Sequence, residues 1–180
     1  AQEGIHAELR DRLVKRIATL KLGYGLNSGI DVGPVVNEAA MNKILEYVEI
    51  GKNEGAEMLT GGSRDETAGS GWFVQPTLFD NVKRDMRIAQ EEIFGPVTAI
   101  IPVKDLDEAI DVANDIEFGL STAIYTKDVN SSFRALRDLE AGITYVNAPT
   151  IGAEVHLPFG GVKNTGNGHR EAAETALDIF

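Results

Sequence analysis

Three apolar, strand-like runs alternate with two helix-periodic segments between Val97 and Val146, and this alternation constrains the fold more than any other feature. Val97–Val103 is almost continuously apolar, as a strand buried on both faces should be. Asp105-Leu106-Asp107-Glu108 then has capping-box form, and Leu106, Ala109, Ile110 and Ala113 follow at helical spacing. Leu120–Tyr125 reads as the next strand. Lys127-Asp128 leads into a helix carrying Phe133, Leu136 and Leu139; Gly142 ends it, and Ile143–Val146 is the third strand. Strand-helix-strand-helix-strand order makes parallel pairs joined by crossovers. The expected fold is therefore α/β, a layered domain with a largely parallel sheet flanked by helices.

The first half of the chain is less regular. Leu9, Leu13, Ile17 and Leu20 recur at helical spacing and predict an amphipathic helix from about Gly4 to Leu20. Residues 21–36 are glycine-rich and loop-like. Asn37 is placed to cap a second helix through Met41, Ile44, Leu45 and Val48, which Gly55 ends. Ala56–Thr60 reads as a short strand. Trp72-Phe73-Val74 and Thr77-Leu78-Phe79 are strand-like but divided by Pro76, which marks either an edge strand or a break between two strands. No repeat or second domain boundary is visible in the 180 residues. The polar start and the apolar pattern running into Phe180 both look abrupt, which fits natural ends and a piece of a longer chain equally.

Composition narrows the chemistry. Twenty-eight acidic residues against 17 Lys and Arg leave a net charge of −11, so neither nucleic acid nor an anionic membrane is an expected partner. There is no cysteine, which removes disulfides, thiolate metal sites and a cysteine nucleophile from this chain. No metal is expected either: His6, His156 and His169 have no ligand spacing between them, and a hydrogen-bonding or surface role is the ordinary one. With no leader-like segment at the start, the default location is cytoplasmic.

Two segments invite a chemical reading. In Gly160-Gly161-Val162-Lys163-Asn164-Thr165-Gly166-Asn167-Gly168 the glycine spacing resembles a phosphate loop. Asn167 and Gly168, however, stand where Lys and Ser or Thr are required, so a tight turn before a helix near His169 is the physical expectation. The second segment is Gln90-Glu91-Glu92-Ile93-Phe94-Gly95-Pro96-Val97, two carboxylates and an aromatic set at a Gly-Pro turn. By ordinary habit Phe94 and Phe159 would be core residues and both glutamates solvated.

Taken in order, the motifs resemble the aldehyde dehydrogenase family. Gln90–Val97 is similar to that family's glutamate signature, and Asn114 with Phe118-Gly119-Leu120 to its Asn…Tyr-Gly-Leu segment, with Phe for Tyr. Ala141-Gly142-Ile143-Thr144-Tyr145-Val146-Asn147 resembles its Ala-Gly-x-x-x-x-Asn strand. Pro158-Phe159-Gly160-Gly161-Val162-Lys163 with Gly166, Gly168 and Glu171 resembles its Pro-Phe-Gly-Gly segment, with Thr165 for Ser and His169-Arg170 for a single Arg. Gly33-Pro34 and Phe73-x-Gln75-Pro76-Thr77 also match.

The resemblance implies that residues 1–180 are most of a catalytic domain, with the cofactor-binding domain and the oligomerisation tail outside this chain. The parent would oxidise an aldehyde to a carboxylic acid with NAD or NADP, through a cysteine thiohemiacetal and thioester. The cysteine, the general-base glutamate and the oxyanion asparagine would all lie before Ala1. No catalytic residue is expected here, the chain alone is expected to be inactive, and no tightly bound cofactor is expected on it. Carried-over cofactor contacts are Glu92, to the ribose hydroxyls beside nicotinamide, and Phe94, near the nicotinamide ring. Ile151 and Phe159 are the carried-over substrate contacts, in and after the loop from Ala148 to Leu157; Glu154 and His156 are candidates for tuning selectivity toward a charged aldehyde. A homo-oligomer is expected. Two other readings stand beside this one: a standalone, non-catalytic binding or interaction module of the same fold, and an acyl-phosphate reductase. Neither the aldehyde nor the choice between NAD and NADP is legible.

Overall fold

A computed structural model describes residues 1–178; Phe180, where the apolar pattern meets the chain end, lies outside the described residues. The chain divides into two compact units, Ala1–Lys104 and Asp105–Phe180. No glycine- or serine-rich linker marks that division in the sequence, which is why no boundary is visible there.

In the first unit, helix α1 spans Glu3–Ile17. Thr19 stops it short of Leu20, because its hydroxyl donates to the Arg16 carbonyl at 2.7 Å. The Leu9, Leu13 and Ile17 stripe is half-buried, and no residue of α1 is fully buried. The helix is held instead by polar ties: the Glu3 N–H donates to the Val103 carbonyl, and His6 Nε2 lies 2.6 Å from Oδ1 of the fully buried Asp80. Helix α2, Glu38–Asn53, starts where Asn37 accepts the Ala40 N–H at 2.8 Å. It buries Met41, Ile44, Val48 and Gly51 on one stripe.

That stripe covers a three-stranded sheet. Strands β1 (Glu57–Thr60), β2 (Thr77–Asp80) and β3 (Val97–Ala99) lie in that order, β1 antiparallel and β3 parallel to β2. A short helix α3, Arg87–Gln90, lies on the connection from β2 to β3. All four residues of β2 are buried, so β2 is a central strand. Of the two readings of Pro76, the break therefore holds and the edge strand does not: proline stands one residue before the first paired position, where its missing N–H costs no ladder bond. Trp72 and Val74 make only isolated bridges, to Val35 and Arg64. The predicted strand Val97–Val103 is shortened to β3 because β2, its partner, ends at Asp80, and Val103 bridges Gln2 instead. The run stays tied nonetheless, with the Ile100 N–H bonded to Phe79 and the Val103 N–H to Ala1. Val48, Phe79, Val82, Met86 and Ile88 form one core cluster and Met41, Ile44 and Val74 another; Ile93 and Val97 pack against both.

The second unit opens with α4, Leu106–Asn114, capped by Asp105 accepting the Glu108 N–H at 2.9 Å. Strand β4 (Phe118–Gly119) pairs antiparallel with β7 (Val162–Lys163). Strand β5 (Ser121–Ile124) pairs parallel with β6 (Ile143–Val146) through the crossover helix α5, Val129–Asp138, which Asp128 caps. The helix expected near His169 does not form. Phe159 and Glu171 exchange two backbone hydrogen bonds of 2.6 and 2.7 Å, Ala172 and Ala173 take positive φ, and only a 3-10 turn follows at Glu174–Asp178.

The class is mixed α/β, as expected. Parallel pairing occurs at β2–β3 and β5–β6, but the strands read as one succession are shared out: among the described residues there are three small sheets, and β3 pairs with β2 rather than with β5. No helix of the described residues is long and apolar enough to cross a membrane.

Candidate functional site

The glutamate pair sits where α3 ends and the chain turns toward β3. Ile93 is the anchor of this turn, half-buried against both core clusters. Gly95 presses so closely on α2 that a Cβ there would overlap Ile44, which explains why the turn needs glycine. The Pro96 carbonyl accepts the Thr77 N–H at 2.8 Å and registers the turn on β2. Between these fixed points Phe94 takes φ +58° and is 81% exposed. The ordinary expectation, that phenylalanine is a core residue, fails here: its ring faces outward from a left-handed backbone position that costs free energy to hold.

The two carboxylates have different fates. Glu91 accepts from Arg87 Nε at 2.7 Å, Arg87 Nη2 at 2.9 Å and the Tyr47 hydroxyl at 2.6 Å. The hydrogen bonds from Arg87 and then Tyr47 hold its pKa down to about 2. Glu92 is exposed, and among the described residues no hydrogen bond or ion pair engages its carboxylate; its backbone carbonyl accepts from Lys43 Nζ at 2.9 Å. An outward aromatic beside an unengaged carboxylate suits a flat ring carrying hydroxyl donors. The sequence reading missed the tether on Glu91. Arg87 and Glu91 are four apart on a helical turn, a local cue for an ion pair, whereas Tyr47 lies 44 residues away and gives none.

In the second unit, the loop after β6 begins at Asn147, which sits at φ +56°. Its side-chain amide accepts the Thr126 N–H and donates to the Thr126 carbonyl, both at 2.9 Å. It thus behaves as one more peptide group, extending the β5–β6 ladder past its end. Beyond it Ile151, Val155 and Leu157 are exposed, Ile151 at 80%. Phe159 is half-buried, pinned by its pairing with Glu171, and lies between two depressions of about 60 and 330 Å³. The smaller is shared with Tyr145, Glu154 and Leu157, the larger with Gly160, Thr165 and His169. Glu154 and His156 are both solvent-exposed.

The glycine-dense segment is a packing knot. A Cβ on Gly142 would strike the Gly160 carbonyl, Arg170 donates to the Gly160 and Gly161 carbonyls, and Thr165 Oγ1 accepts the Gly119 N–H at 2.9 Å. Lys163 closes the C-terminal end of α4: its Nζ donates to the carbonyls of Asn114 at 2.6 Å and Ile116 at 3.1 Å and pairs with Glu140 at 2.8 Å. Asn114 reciprocates by bonding Asp138 and Glu140 backbone groups, both at 2.8 Å. The segment's lysine and hydroxyl are thus committed to backbone groups of the fold. Among the described residues no group of three or more His, Asp or Glu is placed to hold a metal. Glu92 and Phe94 share one turn of the first unit; Ile151 and Phe159 belong to the second.

Comparison with known proteins gives a uniform result. The sequence profile of the aldehyde dehydrogenase family matches residues 1–180. An alpha-ketoglutaric semialdehyde dehydrogenase of Bacillus subtilis is 39% identical over 181 residues, covering 99% of this chain and 37% of that protein. Aldehyde dehydrogenase 1A1 of Mesocricetus auratus is 44% identical over 176 residues, covering 98% and 34%. The crystal structure of betaine aldehyde dehydrogenase from Staphylococcus aureus in complex with NAD+ superposes with a TM-score of 0.95 at 33% identity, covering 99% of this chain and 36% of that one. The chain thus spans little more than a third of the length of the relatives it matches.

Proposed function

This chain belongs to the aldehyde dehydrogenase family, and from that premise we propose that it is the part of an NAD(P)-dependent aldehyde dehydrogenase that orients the cofactor and lines the aldehyde's approach. The observation that carries the reading is the division of labour at the turn: Glu91 is tethered, while Glu92 and Phe94 are presented outward together. Glu92 would accept the ribose hydroxyls next to nicotinamide, and Phe94 would flank the ring. When bound, the cofactor supplies the hydride acceptor. This chain's share is orientation, because a carboxylate bonding the ribose fixes the ring without touching the reacting carbon. Ile151 and Phe159 would line the substrate's path, with Glu154 and His156 at its mouth. A chain without cysteine offers no thiol, so the nucleophile would come from sequence outside it. Residues 1–180 would then be most of a catalytic domain, inactive by itself and with no tightly held cofactor. NAD is the dinucleotide of the Staphylococcus aureus complex, and NADP remains the alternative for this protein. A cytoplasmic homo-oligomer belongs to the same proposal. The relatives named above are dehydrogenases, which weighs against the free-standing binding module.

The test uses the full-length protein with a panel of aldehydes that includes one carboxylate-bearing and one quaternary-ammonium substrate. Turnover to NADH or NADPH is expected, and Glu92→Gln should slow hydride transfer about tenfold or more by weakening a charge-assisted bond to one ribose hydroxyl, while leaving aldehyde capture nearly unchanged in single-turnover traces. No turnover on any aldehyde, or an unchanged hydride-transfer step in the variant, would overturn the reading.

A further inference from the structure

We propose that Arg87, Glu91 and Tyr47 form a clamp that positions the Glu92–Phe94 turn, so that Glu91 acts as a positioning residue and Glu92 as the ligand-facing one. The inference rests on the cofactor-orienting role proposed above and extends it to residues that role does not name. Arg87 meets Glu91 with two parallel N–H···O bonds, the arrangement that adds geometric definition to a charge pair. Tyr47 adds a third donor from α2 at 2.6 Å, and the Arg87 guanidinium lies 5.5 Å from the centre of the Tyr47 ring. Lys43, one helical turn before Tyr47, lies 5.7 Å from the same ring and donates to the Glu92 carbonyl. The turn is thereby stapled to α2 at two successive residues. With three donors on Glu91, little acceptor capacity is left for a ligand. Its neighbour keeps the whole of its own. Adjacent identical residues thus become non-equivalent through the donors that Arg87 of α3 and Tyr47 of α2 direct at the first of them.

The geometry also supplies a reason for the clamp. Phe94 sits at φ +58°, a conformation that persists only when its surroundings over-determine it. Ile93 and Gly95 fix the far side of the turn by packing, and the clamp fixes the near side. Loosening Glu91 should let the turn relax and lower the fraction of molecules in which Glu92 and Phe94 face the same way.

The experiment is a double-mutant cycle in the full-length protein, with dinucleotide affinity read by fluorescence titration in the absence of aldehyde. Glu91→Gln and Tyr47→Phe should each weaken binding about threefold to tenfold, as the loss of one polar contact acting at second hand implies. Glu91→Gln/Glu92→Gln should lose less than the two single losses combined, because Glu91 acts through the turn and largely through Glu92. In cofactor-free protein, amide exchange across residues 91–95 should quicken in Glu91→Gln while the amides of β2 keep their protection. Arg87→Lys should restore part of the affinity lost in Arg87→Ala. If Glu92→Gln itself leaves affinity unchanged, the functional reading fails and the clamp has no ligand to position. If Glu92→Gln weakens binding but Tyr47→Phe and Glu91→Gln do not, the clamp alone is refuted. Additive losses in the double variant refute it as well, by making Glu91 a direct contact. Tyr47→Phe removes a single hydroxyl and keeps the assay decisive should Glu91→Gln fold poorly.

Discussion

At the scale of single residues, the turn that carries Glu92 combines a strained aromatic with two carboxylates of opposite circumstance. Glu91 has its pKa depressed from 4.5 to about 2, so what the Arg87 pair contributes is fully present above the ordinary glutamate pKa and is lost only as pH falls through about 2. NMR titration of the side-chain carboxyl is expected to show Glu91 still ionised near pH 3, where an ordinary glutamate is mostly protonated. A midpoint above pH 4 would mean that the Arg87 and Tyr47 bonds do not persist in solution. Phe94 makes the complementary prediction. Replacing it with glycine removes the cost of a left-handed φ at a side chain that buries little, so Phe94→Gly should stabilise the fold by about 1 kcal/mol in denaturant unfolding while weakening dinucleotide binding. Lower stability in that variant would show that the ring packs in solution. Little of this was legible beforehand: the Gly-Pro turn was, but nothing local to Phe94 foretells an exposed ring, and the ordinary habit of phenylalanine argues the other way.

The elements that the sequence announced best are those whose signals are local. Asn37, Asp105 and Asp128 each precede a helix-periodic run, and each accepts a backbone N–H three residues on. Since α2 carries Ile44 and Val48 into the core and holds Lys43 and Tyr47 for the turn, losing its cap should matter. Asn37→Ala is expected to cost about 0.5–2 kcal/mol, read as a lower thermal midpoint with the fold retained. An unchanged midpoint would mean that packing alone sets the start of α2. What sequence did not reveal is which strand pairs with which. Strands β4 and β7 are two residues each and meet across more than 40 residues, so no periodicity marks them. Hydrophobicity alone marks the run from Val97 as one strand, because it does not register where the partner strand β2 ends. The helix expected after Gly168 lost to a backbone pairing, Phe159 with Glu171, that helical periodicity does not signal.

For the whole molecule, the governing facts are a net charge of −11 and several large apolar side chains left in water. Leu26, Val36, Phe94, Ile151 and Val155 are each 80% exposed or more. Purified alone at physiological salt, where charges are screened beyond about 8 Å, the chain is expected to self-associate, with a symmetric interface as the default outcome. Light scattering across a concentration series tests this; a monomer at high concentration that binds no hydrophobic dye would refute it. The same preparation should form no NADH from any aldehyde, since it contains no thiol. The end of the β5–β6 ladder is completed by the carboxamide of Asn147, an exposed group of the thermolabile kind. Hydrolysis to a carboxylate would replace the donor facing the Thr126 carbonyl with a second acceptor. Hydrolysis at this one position would therefore unpin the start of the loop bearing Ile151 from the ladder, and mass spectrometry of stored samples alongside amide exchange at Thr126 would detect it.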